Sequence, residues 1–391
     1  MQRNNITKLL NLQDVVLKNT RFEEKFLHVW IETKSKLHTC PACKKASSLV
    51  YDYRNRKIHH IMIGKRQSIL HLKQRRYICP DCGKKFNESY PFVTKYYRNS
   101  NDVVNNVFND LKKQLNLKTI GDRNGITSQS VIRLMQFMKP FKVTKELPEA
   151  IGIDEFRGNA GGNKFQVAIT DLNQHKIIDI ISARSETALY HYLNSITNKG
   201  EVKYITMDLS MFFKRITLDN FKNAEIIADK FHYTRLINWG LDKVRKKVQI
   251  GLDKDMRKFF KHSRSILHKR GSDLNDDQLN TLRVMLDYDE NLRWAYSIKE
   301  KLYEVNDEKD ISKKKELFNE WIKYSRSCDL EEFNGHIETF IIWYKYIVNS
   351  FNTSYTNGIT EGLNTKIKTL KRISYGFRNF NNFRLRILLC S

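Results

Sequence analysis

The chain runs to 391 residues, too long for one ordinary hydrophobic core, so two or three domains are expected. Hydrophobic residues make up 40% and charged residues 29%, mean hydropathy is −0.57, and no apolar run approaches the length of a bilayer span, which argues against a membrane protein. Lys and Arg number 69 against 43 Asp and Glu, a formal charge of +26, so a polyanionic partner is expected, with ribosomal or membrane-surface binding as other uses of the same charge.

That charge is unevenly spread. Residues 51–100 hold 12 Lys and Arg against Asp52, Asp81 and Glu88, and residues 361–391 hold 7 against Glu361 alone. Both segments are expected to meet nucleic acid. The opening residues MQRNNITKLLNLQDVV lack the apolar stretch and small-residue cleavage site of a secretion signal, so a cytoplasmic location is expected.

In chain order, the first module is 1–98. Cys40-Pro-Ala-Cys43 and Cys79-Pro-Asp-Cys82 each space two thiols so that one knuckle turn aims both at a single tetrahedral zinc ion. Four thiolates leave no open coordination position, so one structural ion is expected to staple a small domain. Disulfides are disfavoured in a cytosolic protein. Between the pairs, SILHLKQRRYI alternates as a strand does, and the whole reads as an elongated zinc ribbon. His59, His60 and His71 read as surface or strand residues, and Cys328 and Cys390 as isolated thiols.

Residues 99–147 follow as a helical module. Val103, Val104, Val107, Phe108, Leu111 and Leu115 recur at helical spacing and predict a helix over 102–115. In LKTIGDRNGITSQSVIRLMQFM, Gly125 supplies a turn between two short helices, the second packing through Val131, Leu134, Met135 and Met138. This is a helix-turn-helix pattern, with Ser128, Gln129 and Arg133 facing outward where a major-groove reader places its contacts. An ordinary helical hairpin would give the same spacing.

From 148 the pattern changes to strands. AIGIDEF, KFQVAITDL and KIIDIISAR are three branched, apolar runs; a helix from about 185, the strand VKYITMDL, a helix from about 210 and the strand NAEIIAD complete the order βββαβαβ. That order is ribonuclease-H-like, and in it Asp154 and Asp208, at the ends of the first and fourth runs, converge. Carboxylates suit magnesium, and two ions suit the entering and leaving oxygens of an in-line phosphoryl displacement.

A third carboxylate is expected from a later helix, and SYTNGITEGLNTKIKTLKR offers it. Glu361, Asn364, Thr365, Lys368, Lys371 and Arg372 cluster on one face of that helix, opposite Leu363, Ile367 and Leu370. Glu361 would reach metal while Lys368, Lys371 and Arg372 approach DNA phosphates; a solvated charged face is the plainer alternative. Glu155, Asp171 and Asp179 rank as surface or turn residues. Asp229 and His232, in Asp-x-x-His spacing, are assigned a hydrogen-bonding role in ordering the site, against a histidine merely satisfied within the fold.

Between Asp208 and Glu361 lie 152 residues, more than a simple core needs before its last helix. Residues 233–350 contain no proline and show helical periodicity, as in LRWAYSIKEKLYEV and ELFNEWIKYS, so an all-helical insertion is expected. Trp239, Trp294, Trp321 and Trp343 read as core anchors rather than base-stacking wedges. The fold class is thus a multidomain α+β chain: zinc ribbon 1–98, helix-turn-helix 99–147, ribonuclease-H-like core 148–232, helical insertion 233–350 and the rest of the core, with its Glu helix, 351–391.

Taken together, IGIDEFRG, ITMDLS, ADKFHYTR and TEGLNTKIKTLKRISYGFRNFNNFRLRIL resemble the blocks of the ISL-three family of bacterial insertion-sequence transposases. The resemblance covers most of the chain and implies Asp154, Asp208 and Glu361 as a catalytic DDE triad. The Asp-x-x-His element is similar to one shared by several DDE groups with helical insertions, which implicates His232.

The function this implies is magnesium- or manganese-dependent cleavage and strand transfer, with two ions per site. The ribbon and helix-turn-helix would bind terminal inverted repeats, and two or more protomers would pair the ends and attack target DNA. A homodimer or larger assembly associated with the nucleoid is expected, without a membrane. The rival readings are a zinc-ribbon and helix-turn-helix regulator with a non-catalytic core, and a nuclease that cuts without joining.

Overall fold

The computed structural model describes residues 3–34, 37–137 and 145–391, with the side chains of 3–5 set aside. The chain is a multidomain α+β protein that divides into two compact units, residues 1–142 with 369–391, and residues 143–368.

In the first unit, strands run in the order Val15–Phe22, Phe26–Thr33, Arg66–Ile78 and Val50–Ile63, and Lys85–Asn87 also pairs with Arg66–Ile78. Strict alternation along Phe26–Thr33 turns Leu27, Val29 and Ile31 into a core with Ile58, Leu70 and Leu72, while the even-numbered residues on the other face stay partly open. The two long strands are joined at Gly64, whose φ of +58° suits a two-residue hairpin turn. The strand predicted from SILHLKQRRYI is present within Arg66–Ile78. His59, His60 and His71 lie in strands, but His60 is fully buried, bonded to Ser100 Oγ at 2.7 Å and to the Leu10 carbonyl at 2.7 Å.

Three helices follow in the same unit, Asn101–Leu111, Leu117–Asn124 and Ser128–Phe137. The first ends four residues before the predicted 115. Asn116 caps the next helix by accepting from the Thr119 N–H at 2.7 Å, so the intervening residues are used as a connection, though Leu115 still packs on the cluster. Gly121 permits the second and third helices to meet, because a Cβ there would lie 2.6 Å from the Ile126 carbonyl oxygen. Val131, Leu134 and Met135 are buried as expected; Met138 lies outside the described residues. Arg386, on the helix Phe380–Leu389, is fully buried and donates to the carbonyls of Lys113 and Leu115 at 2.7 and 2.8 Å, satisfying backbone groups just past the first helix.

The second unit holds a five-stranded sheet in the order Lys176–Ile181, Gln166–Asp171, Ala150–Phe156, Tyr204–Met207, Glu225–Ala228. Neighbours among the first three strands are antiparallel, and the last two join in parallel. Helices Glu186–Asn194 and Met211–Asn220 follow the strands Lys176–Ile181 and Tyr204–Met207 in the chain. A long helix, Lys230–Val248, then opens a run of helices reaching Tyr344–Asn349, whose apolar residues share one continuous core with the sheet, from Leu147 to Ile347. Of the four tryptophans expected to anchor that region, Trp321 and Trp343 are buried, but Trp239 and Trp294 are 48% and 39% exposed. Helical spacing alone places a residue on an arc and does not say which arc is covered. Among the described residues, no helix is long and apolar enough to cross a membrane.

Candidate active site

The parallel register pairs Met207 with Ile153, so the next residues along each chain path, Asp208 and Asp154, emerge side by side. The Asp154 strand continues past its acid to Phe156, whereas Asp208 follows directly on the last residue of its strand. Oδ1 of Asp154 accepts from the Glu155 N–H and Oδ2 from the side-chain amide of Asn364, each at 2.8 Å. Oδ1 of Asp208 is buried with no hydrogen-bond partner.

Both carboxyls titrate high. Burial, and then the charge of Asp208, pushes Asp154 up to about 7; burial, and then Glu155, pushes Asp208 up to about 6. Glu155 is half-buried in an ion pair with Arg184, whose guanidinium also donates to Ser210 Oγ at 3.3 Å. It is therefore not the surface acid expected. Asp171 and Asp179 are also buried: Asp171 accepts from the N–H groups of Asn173 and Gln174 at 2.9 Å, closing the turn, and Asp179 accepts from the Ile180 N–H at 2.6 Å.

Glu361 stands on the helix Gly358–Ile373 and is exposed. Leu363, Ile367 and Leu370 form its buried stripe, but the covered arc is wider than the sequence suggested. Asn357, Thr360 and Asn364, at i, i+3 and i+7, are buried along its edge and reach three strands. Thr206 Oγ1 donates to Asn357 Oδ1 at 3.3 Å, the hydroxyls of Thr170 and Thr360 are 2.7 Å apart, and Asn364 meets Asp154. Gly152 leaves room for this docking, since a Cβ there would lie 2.1 Å from Thr360 Oγ1 and 2.5 Å from Thr170 Oγ1. Asn364 thus belongs to the sheet-facing side and not to the solvated face.

Asp229 caps the helix Lys230–Val248 by accepting from the Phe231 N–H. Burial raises it to about 6, helped by the charge of Glu361, which brings the two acids into one electrostatic environment. His232 Nε2 lies 3.6 Å from Asp229 Oδ2, too long for a hydrogen bond, while Arg235 donates to Nδ1 at 2.9 Å. Burial and then Arg235 press His232 down to about 4, so the ring is neutral at physiological pH with its proton on Nε2.

The acids are not drawn as tightly as a single-ion cage. Among the described residues, the group whose ligand atoms all lie within 4.8 Å is the four cysteines, and Asp154, Asp208 and Glu361 do not reach that spacing. A pair of ions about 3.5–4 Å apart needs a wider set of ligands. The oxygens present fit such a pair: Asp208 Oδ1 and Asn364 Oδ1 are both buried acceptors with nothing donating to them.

In the first unit, Cys40 and Cys82 sulfurs are 3.6 Å apart and those of Cys43 and Cys79 3.4 Å, a four-thiolate cluster suited to one structural zinc ion. Ser128, Gln129 and Arg133 are exposed on the helix Ser128–Phe137. Arg54, Arg56, Arg76, Lys84, Lys85 and Lys95 line a groove beside the knuckles. On the Glu361 helix, Lys368 and Arg372 are exposed and Lys371 half-buried. Sequence reasoning placed Asn364 on the Glu361 face without foreseeing its contact with Asp154, and did not single out Arg235 or Arg184; the i, i+3, i+7 polar spacing of Asn357, Thr360 and Asn364 was the readable signal for the first.

Comparison with known proteins agrees with this organisation. Residues 151–387 match a family of DDE transposases of ISL3 type, and residues 36–82 match the zinc-finger of transposase IS204/IS1001/IS1096/IS1165. The chain is 21% identical over 374 residues to the transposase for insertion sequence element IS1001 of Bordetella parapertussis, covering 92% of this chain and 90% of that one. It is 27% identical over 255 residues to the transposase for insertion sequence element IS1557 of Mycobacterium tuberculosis, covering 59% and 57%. A 59-residue stretch is 46% identical to an ATP-dependent protease of Lactococcus lactis subsp. lactis, but that spans only 15% of this chain and 19% of the other and carries no activity across. With well over half of its length matched to that one model, the chain belongs to the ISL3 family of insertion-sequence DDE transposases.

Proposed function

We propose that this chain is a metal-dependent DNA-processing enzyme that binds the terminal inverted repeats of an insertion sequence and cuts and rejoins DNA through Asp154, Asp208 and Glu361. The single observation that carries the reading is the adjacent, half-buried pair Asp154 and Asp208, with Asp208 Oδ1 buried and without a donor, beside the helix that bears Glu361. The antiparallel-then-parallel sheet and its helical order favour a ribonuclease-H-like core, with domain limits near 98, 147, 232 and 350.

Two magnesium or manganese ions held by these acids would supply stabilisation of the entering and leaving oxygens. The chain's own groups do the rest. Asn364 and the Glu155 N–H, each on a different oxygen, fix the orientation of the Asp154 carboxylate. Arg235 keeps His232 neutral and correctly rotated, so that its Nε2–H faces Asp229. Positioned water releases a 3′-hydroxyl, which then attacks target DNA in line, with no covalent protein–DNA intermediate.

DNA is held elsewhere on the chain. The three helices 101–137 act as a helix-turn-helix reading the repeats through Ser128, Gln129 and Arg133, the basic groove and Lys368, Lys371 and Arg372 grip phosphates, and a homodimer or larger assembly pairs the ends.

Magnesium-dependent nicking and joining of a duplex carrying the element's ends tests the reading. Asp208→Asn should abolish both reactions and leave end binding intact; unchanged turnover removes Asp208 from the triad. Binding by the native protein without nicking would favour a regulator, and nicking without joined products would favour a nuclease.

A further inference from the structure

The helix Lys230–Val248 starts at the carboxylate Asp229 and carries Phe231, Arg235 and Trp239 at i, i+4 and i+8, hence on one face. Both rings are uncovered, Phe231 being 52% and Trp239 48% exposed. The Arg235 guanidinium lies between them, its central carbon 5.5 Å from the Phe231 centroid and 4.9 Å from that of Trp239. Among the described residues Arg235 makes no ion pair, and its Nε is buried without a partner. Its charge nevertheless reaches both Asp208 and Asp229, lowering each.

Two half-exposed aromatic faces and an unpaired cation, bordering a cluster of acids, are costly to leave open in a free protein. Acids repel a DNA strand unless a cation offsets them, and flat rings accept any base through its π face. We propose that Phe231, Arg235 and Trp239 form a binding ladder for one unpaired nucleotide at the processed DNA end, its base stacked on the Trp239 indole and its phosphate on Arg235, beside Asp208 and Asp229. The identity of the ligand rests on the transposase reading.

Two duplexes of about 30 base pairs, one blunt and one bearing a short single-stranded 5′ overhang, test it by fluorescence anisotropy with the full-length, zinc-loaded protein. The native protein should prefer the overhang. Trp239→Ala should lose that preference by about 5- to 100-fold, and Trp239→Phe should keep part of it. Arg235→Met should weaken the overhang complex more than the blunt one. A preference unchanged in folded Trp239→Ala overturns the proposal, as does equal binding of both probes by the native protein, or a shift of oligomeric state in Trp239→Ala without any change in DNA preference. As a check with the conservative variant, the fluorescence difference between the native and folded Trp239→Phe proteins should be quenched by the overhang probe. Nicking of end-containing duplex with magnesium is scored separately: its absence alongside an intact overhang preference would sink the transposase reading and leave the ladder standing.

Discussion

The side-chain amide of Asn364 donates a 2.8 Å hydrogen bond to Oδ2 of Asp154, linking residues 210 positions apart in the chain. With Asp154 ionised the amide nitrogen must face it, because a carboxylate can only accept. One turn earlier on the same helix stands Glu361, so the contact that orients one acid also sets the register of another.

Replacing Asn364 by Ala should therefore weaken divalent-ion affinity and turnover by about 10- to 100-fold without unfolding the chain. The amide also holds the Asp154 carboxyl down, so its loss should move the acidic limb of the pH–rate profile to higher pH. Titration of turnover against magnesium at several pH values checks both; an unmoved limb would leave Asn364 a packing residue.

The pair Asp154 and Asp208 also makes native stability pH-dependent. Their carboxyls titrate at about 7 and about 6 in the fold against an ordinary 3.8, so protonation favours the native state. That contribution is fully present below about pH 4 and is lost as pH rises through 6 to 7. In chelator, Asp208→Asn should be more stable than the native chain at about pH 8, by on the order of 2–3 kcal/mol, and the gain should shrink towards acid pH. Thermal melts across that range decide it.

Gly152→Ala should lift the Glu361 helix off the sheet. The new methyl would meet the hydroxyls of Thr170 and Thr360, both fully buried, at a cost of about 1–3 kcal/mol. Turnover should fall further than stability does, because the displaced helix carries both Asn364 and Glu361. A companion Thr360→Ser change removes a methyl while keeping the hydroxyl pair and should be mild.

Cys79→Ser should release the zinc ion and loosen the first unit. Metal analysis should find one zinc per native chain and none firmly bound in the variant. Loss of end binding with retained folding of the second unit, read by limited proteolysis, is the expected outcome; full zinc retention would mean that the four sulfurs are not the ligand set.

Much of the organisation was legible because it is written in local patterns. Two Cys-x-x-Cys knuckles, the alternation of SILHLKQRRYI, the helical stripes of 101–137 and the branched runs of the sheet each depend on residues a few positions apart. Helix ends were less legible, since the stop at Leu111 depends on what Asn116 caps next.

What the sequence alone determined is the set of elements and the side chains they carry: four thiols in zinc-knuckle spacing, carboxylates at strand ends and on a late helix, and a surplus of cations. Only the tertiary structure decided which arc of each helix is covered. It buried Asn364 against Asp154, opened Trp239 to solvent and tied Glu155 to Arg184, because burial depends on strands and helices far apart in the chain arriving at the same place.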